Sequence, residues 1–167
     1  DKIATSHGLM SDMPKVSRDS YITSYERTNG TNQISVIDGF KISSNYVFRR
    51  LVKDHYGENP EEFIHRLHQY NFGDAYEFDL KESGISSPKI PHPDDAGWSI
   101  YDLVSVAIGY SVRVTPLQIV TFYNAIANKG KMMKPYIVES IEHDGRVTRQ
   151  FKPEILNGSI CSKATAD

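Results

Sequence analysis

The run Thr115-Pro116-Leu117-Gln118 constrains this chain more than any other four residues. A threonine hydroxyl ahead of a helix accepts a hydrogen bond from the backbone N–H three residues on. A glutamine at that third position reaches back to the threonine N–H. A proline between them has no N–H to leave unpaired and a φ that is already helical. A helix is therefore predicted from Pro116, carrying Ile119, Phe122, Tyr123 and Ile126 to Lys129, with Gly130 as its stop. Beyond it, Asp144-Gly145 is a tight-turn dipeptide between two β-prone runs, Tyr136 to Glu142 and Arg146 to Phe151, and predicts a hairpin.

The same signals mark helices upstream. Asn59 is a candidate cap, Pro60 suits the first helical position, and Glu61 and Glu62 complement the helix dipole. That helix presents Phe63, Ile64, Leu67 and Tyr70 on one face and ends at Gly73. Another runs from about Ser44 to His55, with Val47, Phe48, Leu51 and Val52 as its buried stripe and Gly57 behind it. Apolar residues from Ile34 to Ile42 suggest a short helix, and Ser99 a cap for one from Ile100 to Ile108. Residues 1–33 read as mostly irregular, with weak strands around Tyr21 to Tyr25. Residues 74–97, with Pro88, Pro91 and Pro93, read as a long loop.

At 167 residues the chain is one domain's worth. Its expected organisation is an irregular lead-in at 1–33, a helical subdomain at 34–130, a hairpin region at 131–156 and a tail at 157–167 without a clear element.

Composition narrows the function. Nineteen Lys and Arg against 21 Asp and Glu give a net charge of -2, so no basic field exists to hold nucleic acid. No run of 18 apolar residues supplies a membrane segment. The single Cys161 can form neither an internal disulfide nor a zinc cluster. His65 and His68 share a helix face near His55, but no acidic residue completes a ligand spacing, and no metal is predicted. Glu61-Glu62 is explained by the helix dipole and Asp94-Asp95 by turn chemistry. No glycine-rich phosphate loop is present, and no cofactor is predicted. Arg49, Arg50 and Lys53 read as the solvated face of a helix.

The informative constellation is Ser43-Ser44-Asn45, at a junction between two predicted helices. Taken alone, Ser43 or Ser44 is a helix cap. The surroundings say more. The segment ISSNYVFRRL (42–51), then WSIYDLVSVAIGY (98–110), then GYSVRVTPLQIVTFYNAIANKGKMMKP (109–135) together resemble, in order and spacing, the transpeptidase domain of class B penicillin-binding proteins of the septal type. Coverage runs from about Asp38 to Phe151. Tyr110 and Ser111 depart from the Gly-x-Gly usual in the third segment.

The resemblance implies serine acyl transfer with three motifs, S-x-x-K, S-x-N and K-T-G. It places the S-x-N serine, which relays a proton, at Ser43. It places the asparagine, which orients the catalytic lysine and the substrate amide, at Asn45; Ser44 is the variable middle residue. The one S-x-x-K match, Ser86 to Lys89, contains Pro88, which disfavours a helical Ser87, and it follows Ser43 where the family motif precedes it. No Lys-Thr-Gly or Lys-Ser-Gly occurs. The chain is thus expected to be the central part of a transpeptidase domain, inactive alone, with nucleophile and substrate strand supplied from outside it.

The implied fold is α+β and mostly helical: the helical part of the penicillin-binding protein and serine β-lactamase-like transpeptidase fold, with one β-hairpin. The implied parent is a single-pass anchored peptidoglycan DD-transpeptidase on the periplasmic side of the bacterial inner membrane. Its partners would be stem peptides, β-lactams and divisome proteins. The alternative is a non-catalytic divisome or peptidoglycan interaction module.

Overall fold

The structure is a computed structural model, and it describes residues 2–13, 18–76 and 87–167. In chain order the elements are strand β1 (Lys2–Ala4), helix α1 (Ser20–Asn29), β2 (Gln33–Ser35), α2 (Val36–Lys41), α3 (Asn45–Tyr56), α4 (Pro60–Gln69), α5 (Ile100–Val106) and α6 (Pro116–Ala127). They are followed by β3 (Met132–Met133), β4 (Ser140–His143), β5 (Arg146–Gln150), β6 (Ile155–Asn157) and α7 (Lys163–Ala166). The fold is α+β, mostly helical, with short antiparallel strands.

The predicted hairpin is β4–β5, turned by Asp144 and Gly145 with φ of 49° and 72°. Those are the left-handed values that a two-residue turn needs to match strand twist. Two further ladders, β1 with β2 and β3 with β6, lay beyond the sequence reading. Each strand in them has two or three residues, too few to show a period of two. Ile34, expected on a helix, lies on β2, and α2 starts only at Val36.

The weak strands expected around Tyr21 to Tyr25 are instead helix α1. Its first turn is capped by Asp19, whose carboxylate accepts from the Tyr21 N–H at 3.0 Å, and Gly30 closes it in the left-handed conformation. Ile22 is buried and Tyr25 packs beside it, a spacing of three along an otherwise polar helix. The β-prone tyrosines masked that spacing. The tail, expected to be featureless, pairs through β6 and ends in α7, which Ser162 caps.

Contacts divide the chain into two compact units, Asp1–Ile64 with Pro91–Val112, and His65–Ile90 with Arg113–Asp167. The interleaving is invisible to a reading in linear stretches. In the first unit Met10, Met13, Ile22, Ile34, Tyr46, Val47 and Val104 form a buried cluster. Burying a side chain of this kind is worth about 1.5–3 kcal/mol. The α2–α3 corner is tight: a Cβ on Gly39 would lie 2.7 Å from Val47. Asp12 draws Arg50 and Lys53 of α3 onto the neighbouring loop.

In the second unit the predicted capping box is present. The Thr115 N–H donates to Gln118 Oε1 at 2.8 Å, and the Gln118 N–H donates to Thr115 Oγ1 at 3.2 Å. The buried Gln118 amide has a second use. Its Nε2 donates to the carbonyls of Asn71, Phe72 and Asp74 at 2.9, 3.2 and 2.9 Å, fastening the turn after α4. Phe122 packs against Tyr70 and Phe72. Of the expected loop at 74–97, residues 77–86 lie outside the described residues, as does Ser86 of the S-x-x-K match. Lys89 bridges Arg113 in extended backbone.

Candidate functional site

Helix α2 ends at Lys41 and α3 begins at Asn45, so Ser43 and Ser44 follow Ile42 in a three-residue link and Asn45 opens α3. Helix α2 closes with paired hydrogen bonds, Ser44 N–H to Gly39 C=O at 2.9 Å and Ser43 N–H to Phe40 C=O at 3.0 Å. This is the Schellman closure, which puts the residue after the C-cap in the left-handed region, a position usually filled by glycine. Here it is Ser43, with φ of 53°.

Ser44 is the anchor. It is fully buried, its hydroxyl accepts from the Val47 N–H at 3.2 Å and donates to Asp19 Oδ2 at 2.8 Å. The same Asp19 oxygen accepts from the Tyr46 N–H at 2.9 Å, while Oδ1 caps α1. One carboxylate therefore ties the starts of α1 and α3 together. Of the two serines open as caps in the sequence, Ser44 is the one that caps.

Ser43 and Asn45 sit on either side of that anchor, and both are exposed. Neither side chain has a hydrogen bond to any described residue. Asn45 lines a cavity of about 200 Å³ together with Asp19, Tyr21, Arg18, Arg49 and Tyr110; Ser43 does not line it. The basic cluster expected as one solvated face is divided. Arg50 and Lys53 pair with acids, whereas Arg49 is half-buried against the cavity. Asp19 was missed as a site neighbour because it lies 25 residues upstream of Ser44, and Arg49, one turn after Asn45 on α3, was read only as part of a solvated face. Only the Asp19-Ser20 cap pattern ahead of Tyr21 could have flagged the first.

The histidines do not converge. His55 Nδ1 lies 2.9 Å from the Leu51 carbonyl, His65 pairs with Gln69, and His68 lies 3.8 Å from Asp74. Among the described residues no group of three His, Cys, Asp or Glu side chains is arranged to hold a metal ion. No helix of the described residues is long and apolar enough to cross a membrane.

The sequence model of the penicillin-binding protein transpeptidase domain matches residues 3–167. The chain belongs to that family. Over 96 residues it is 33% identical to penicillin-binding protein PbpB of Mycolicibacterium smegmatis, covering 57% of this chain and 14% of that relative. The crystal structure of penicillin-binding protein 3 from Mycobacterium tuberculosis, complexed with aztreonam, is 28% identical with a TM-score of 0.60. It covers 74% of this chain and 26% of that one. Penicillin-binding protein 2X from Streptococcus thermophilus superposes over 99% of this chain and 22% of its own, with a TM-score of 0.71 and 23% identity. At that identity the likeness concerns the fold. The chain thus spans well under half the length of each of these relatives. The run Ser43-Ser44-Asn45 lies on the corner just described, within the matched residues.

Proposed function

We propose that the protein carrying this chain is a penicillin-binding DD-transpeptidase that cross-links peptidoglycan stem peptides during septum formation. Its working place is the periplasmic side of the bacterial inner membrane, with a single-pass anchor and divisome proteins as neighbours. In this reading a serine oxygen attacks the peptide carbonyl, the C–N bond breaks, and the leaving amine must receive a proton. Ser43 passes that proton, and Asn45 orients the catalytic lysine and the substrate amide.

One observation supports these roles above others: the two outer residues of Ser43-Ser44-Asn45 have uncommitted side chains, while the middle one is buried and bonded on both sides. A corner held rigid from below presents its polar groups without spending them on structure. The sequence has no Ser-x-x-Lys ahead of Ser43 and no Lys-Thr-Gly, so by itself the chain should not be acylated. Fluorescent penicillin on a denaturing gel tests both halves. The expected result is no covalent band on the 167-residue chain. A longer product of the same gene should be labelled, and that labelling should fall roughly 10²–10⁴-fold in Ser43→Ala, as for loss of a general acid–base group. A band on the short chain, or unchanged labelling in the variant, would sink the assignment.

The alternative is a non-catalytic divisome or peptidoglycan interaction module. A gene without an S-x-x-K upstream of this segment would select it.

A further inference from the structure

Arg49 and Arg50 are neighbours on α3 with opposite fates. Arg50 is held by Asp12 at 3.2 Å and by Asp54 at 2.9 Å. Arg49 has no ion pair or hydrogen bond among the described residues, and its Nε is shielded from solvent without an acceptor. Arg18 is likewise unpaired among them, and it lines the same cavity of about 200 Å³. The one carboxylate at that cavity, Asp19, already accepts from Ser44, Tyr46 and Tyr21, and makes no ion pair with either arginine.

Two cations sharing a concave site repel each other, and a shielded N–H without an acceptor is a standing cost. An anion between the guanidinium groups relieves the repulsion, meeting Arg49 through the part of its guanidinium that lines the cavity, since the Nε–H itself has no accessible surface. The guanidinium group offers parallel donors in a planar fork that fits a carboxylate. Tyr21 and Tyr110, both largely exposed at this cavity, add phenolic donors.

We infer that this cavity is an anion subsite that takes a carboxylate group of a ligand, with Arg49 as its main donor and Arg18 and Asn45 in support. The choice of carboxylate over phosphate rests on the stem-peptide reading above; the unpaired two-cation cavity stands without it.

The test is nuclear magnetic resonance on the isotope-labelled chain, following the Arg49 Nε–H and the Asn45 side-chain amide. The probes are N-acetyl-D-alanine, its amide, and inorganic phosphate at constant ionic strength. The acid should move both signals saturably and the amide should not. Arg49→Gln should weaken the acid by roughly tenfold or more, as expected for a lost charge-assisted hydrogen bond. Arg27→Gln, on the exposed side of α1, should leave it unchanged. Arg49→Lys keeps the charge but not the fork and should fall between. If Arg49→Gln fails to fold, Arg49→Lys and Arg18→Gln decide. No saturation by the acid, an equal response to the amide, or a preference for phosphate overturns the inference. Penicillin labelling of the longer product is a separate readout. Loss of that activity with a saturable acid site would remove the transpeptidase reading and leave the subsite.

Discussion

Glycine at position 43 should stabilise this protein while removing the hydroxyl proposed as its proton relay. Ser43 holds φ of 53° at the residue after the C-cap of α2. An L-residue there pays roughly 1–2 kcal/mol for the crowding of its Cβ. Glycine removes that cost but gives back about 0.4–1 kcal/mol through a freer unfolded chain. The Ser43 side chain is exposed and bonded to no described residue, so nothing else is lost. The net gain expected for Ser43→Gly is about 0.5–1 kcal/mol, or a rise in Tm of about 1–4 °C for a chain of this size. Ser43→Ala keeps the Cβ and therefore the strain, and should stay within about 0.5 kcal/mol of the parent. Urea unfolding followed by the fluorescence of Trp98, the one tryptophan, measures all three proteins. In the longer gene product both variants should lose penicillin labelling to the same degree. If Ser43→Gly is no more stable than Ser43→Ala, the backbone is not strained. If Ser43→Gly still labels normally, the hydroxyl is not the relay.

Three other perturbations probe the supports of the site and the fold. Ser44→Ala removes a buried cap and half of the Asp19 attachment, and should cost about 1–3 kcal/mol in urea unfolding, in contrast to the near-neutral Ser43→Ala beside it. Gln118→Glu keeps the acceptor for Thr115 but turns an oxygen toward the three carbonyls of the 71–74 turn, and should cost about 2–4 kcal/mol by the same assay. The hydrogen bond from Lys53, with Arg50 beside it, holds the Asp12 carboxyl below the usual carboxylate range, and the Thr5 hydroxyl followed by His7 does so for Glu26. A carboxyl lowered on folding stabilises above its unfolded pKa of about 4, and that contribution is lost as pH falls through the lower folded value. Stability should therefore drop below about pH 4, and Asp12→Asn should be less stable than the parent at pH 7 with the gap closing in acid. A constant gap in urea midpoints between pH 7 and pH 3 would contradict this.

Local signals with complete chemistry were legible in the sequence. The Thr115-Pro116-Leu117-Gln118 start carries cap, proline and return donor within four residues, and α6 begins at Pro116 as predicted. Asp144-Gly145 likewise carries its own turn geometry, and the hairpin follows. Helix α1 was not legible, because its two inward residues lie among tyrosines and threonines that favour strands in isolation. What decides it is tertiary: the Asp19 cap and a core shared with α3 and α5. The second role of Gln118, toward carbonyls 44 to 47 positions earlier in the chain, has no local trace at all.

The same division runs through the candidate site. The pattern Ser43-Ser44-Asn45 was visible, and so was the fact that one serine should cap a helix. Which serine does so depends on Asp19, 25 residues upstream of Ser44. Once Asp19 claims Ser44, the alternation follows from geometry. The Schellman closure of α2 turns the preceding residue left-handed and outward, and the first turn of α3 leaves the following one at the surface. A corner of this shape offers positions 43 and 45 to solvent while position 44 holds the backbone. At position 44 this corner calls for a residue that can cap α3 and reach the Asp19 carboxylate. Threonine at position 44 should be tolerated, and valine, of similar shape but without the hydroxyl, should unfold the corner. Parallel urea melts of Ser44→Thr and Ser44→Val, differing by about 1–3 kcal/mol, would bear this out, and equal stability would refute it.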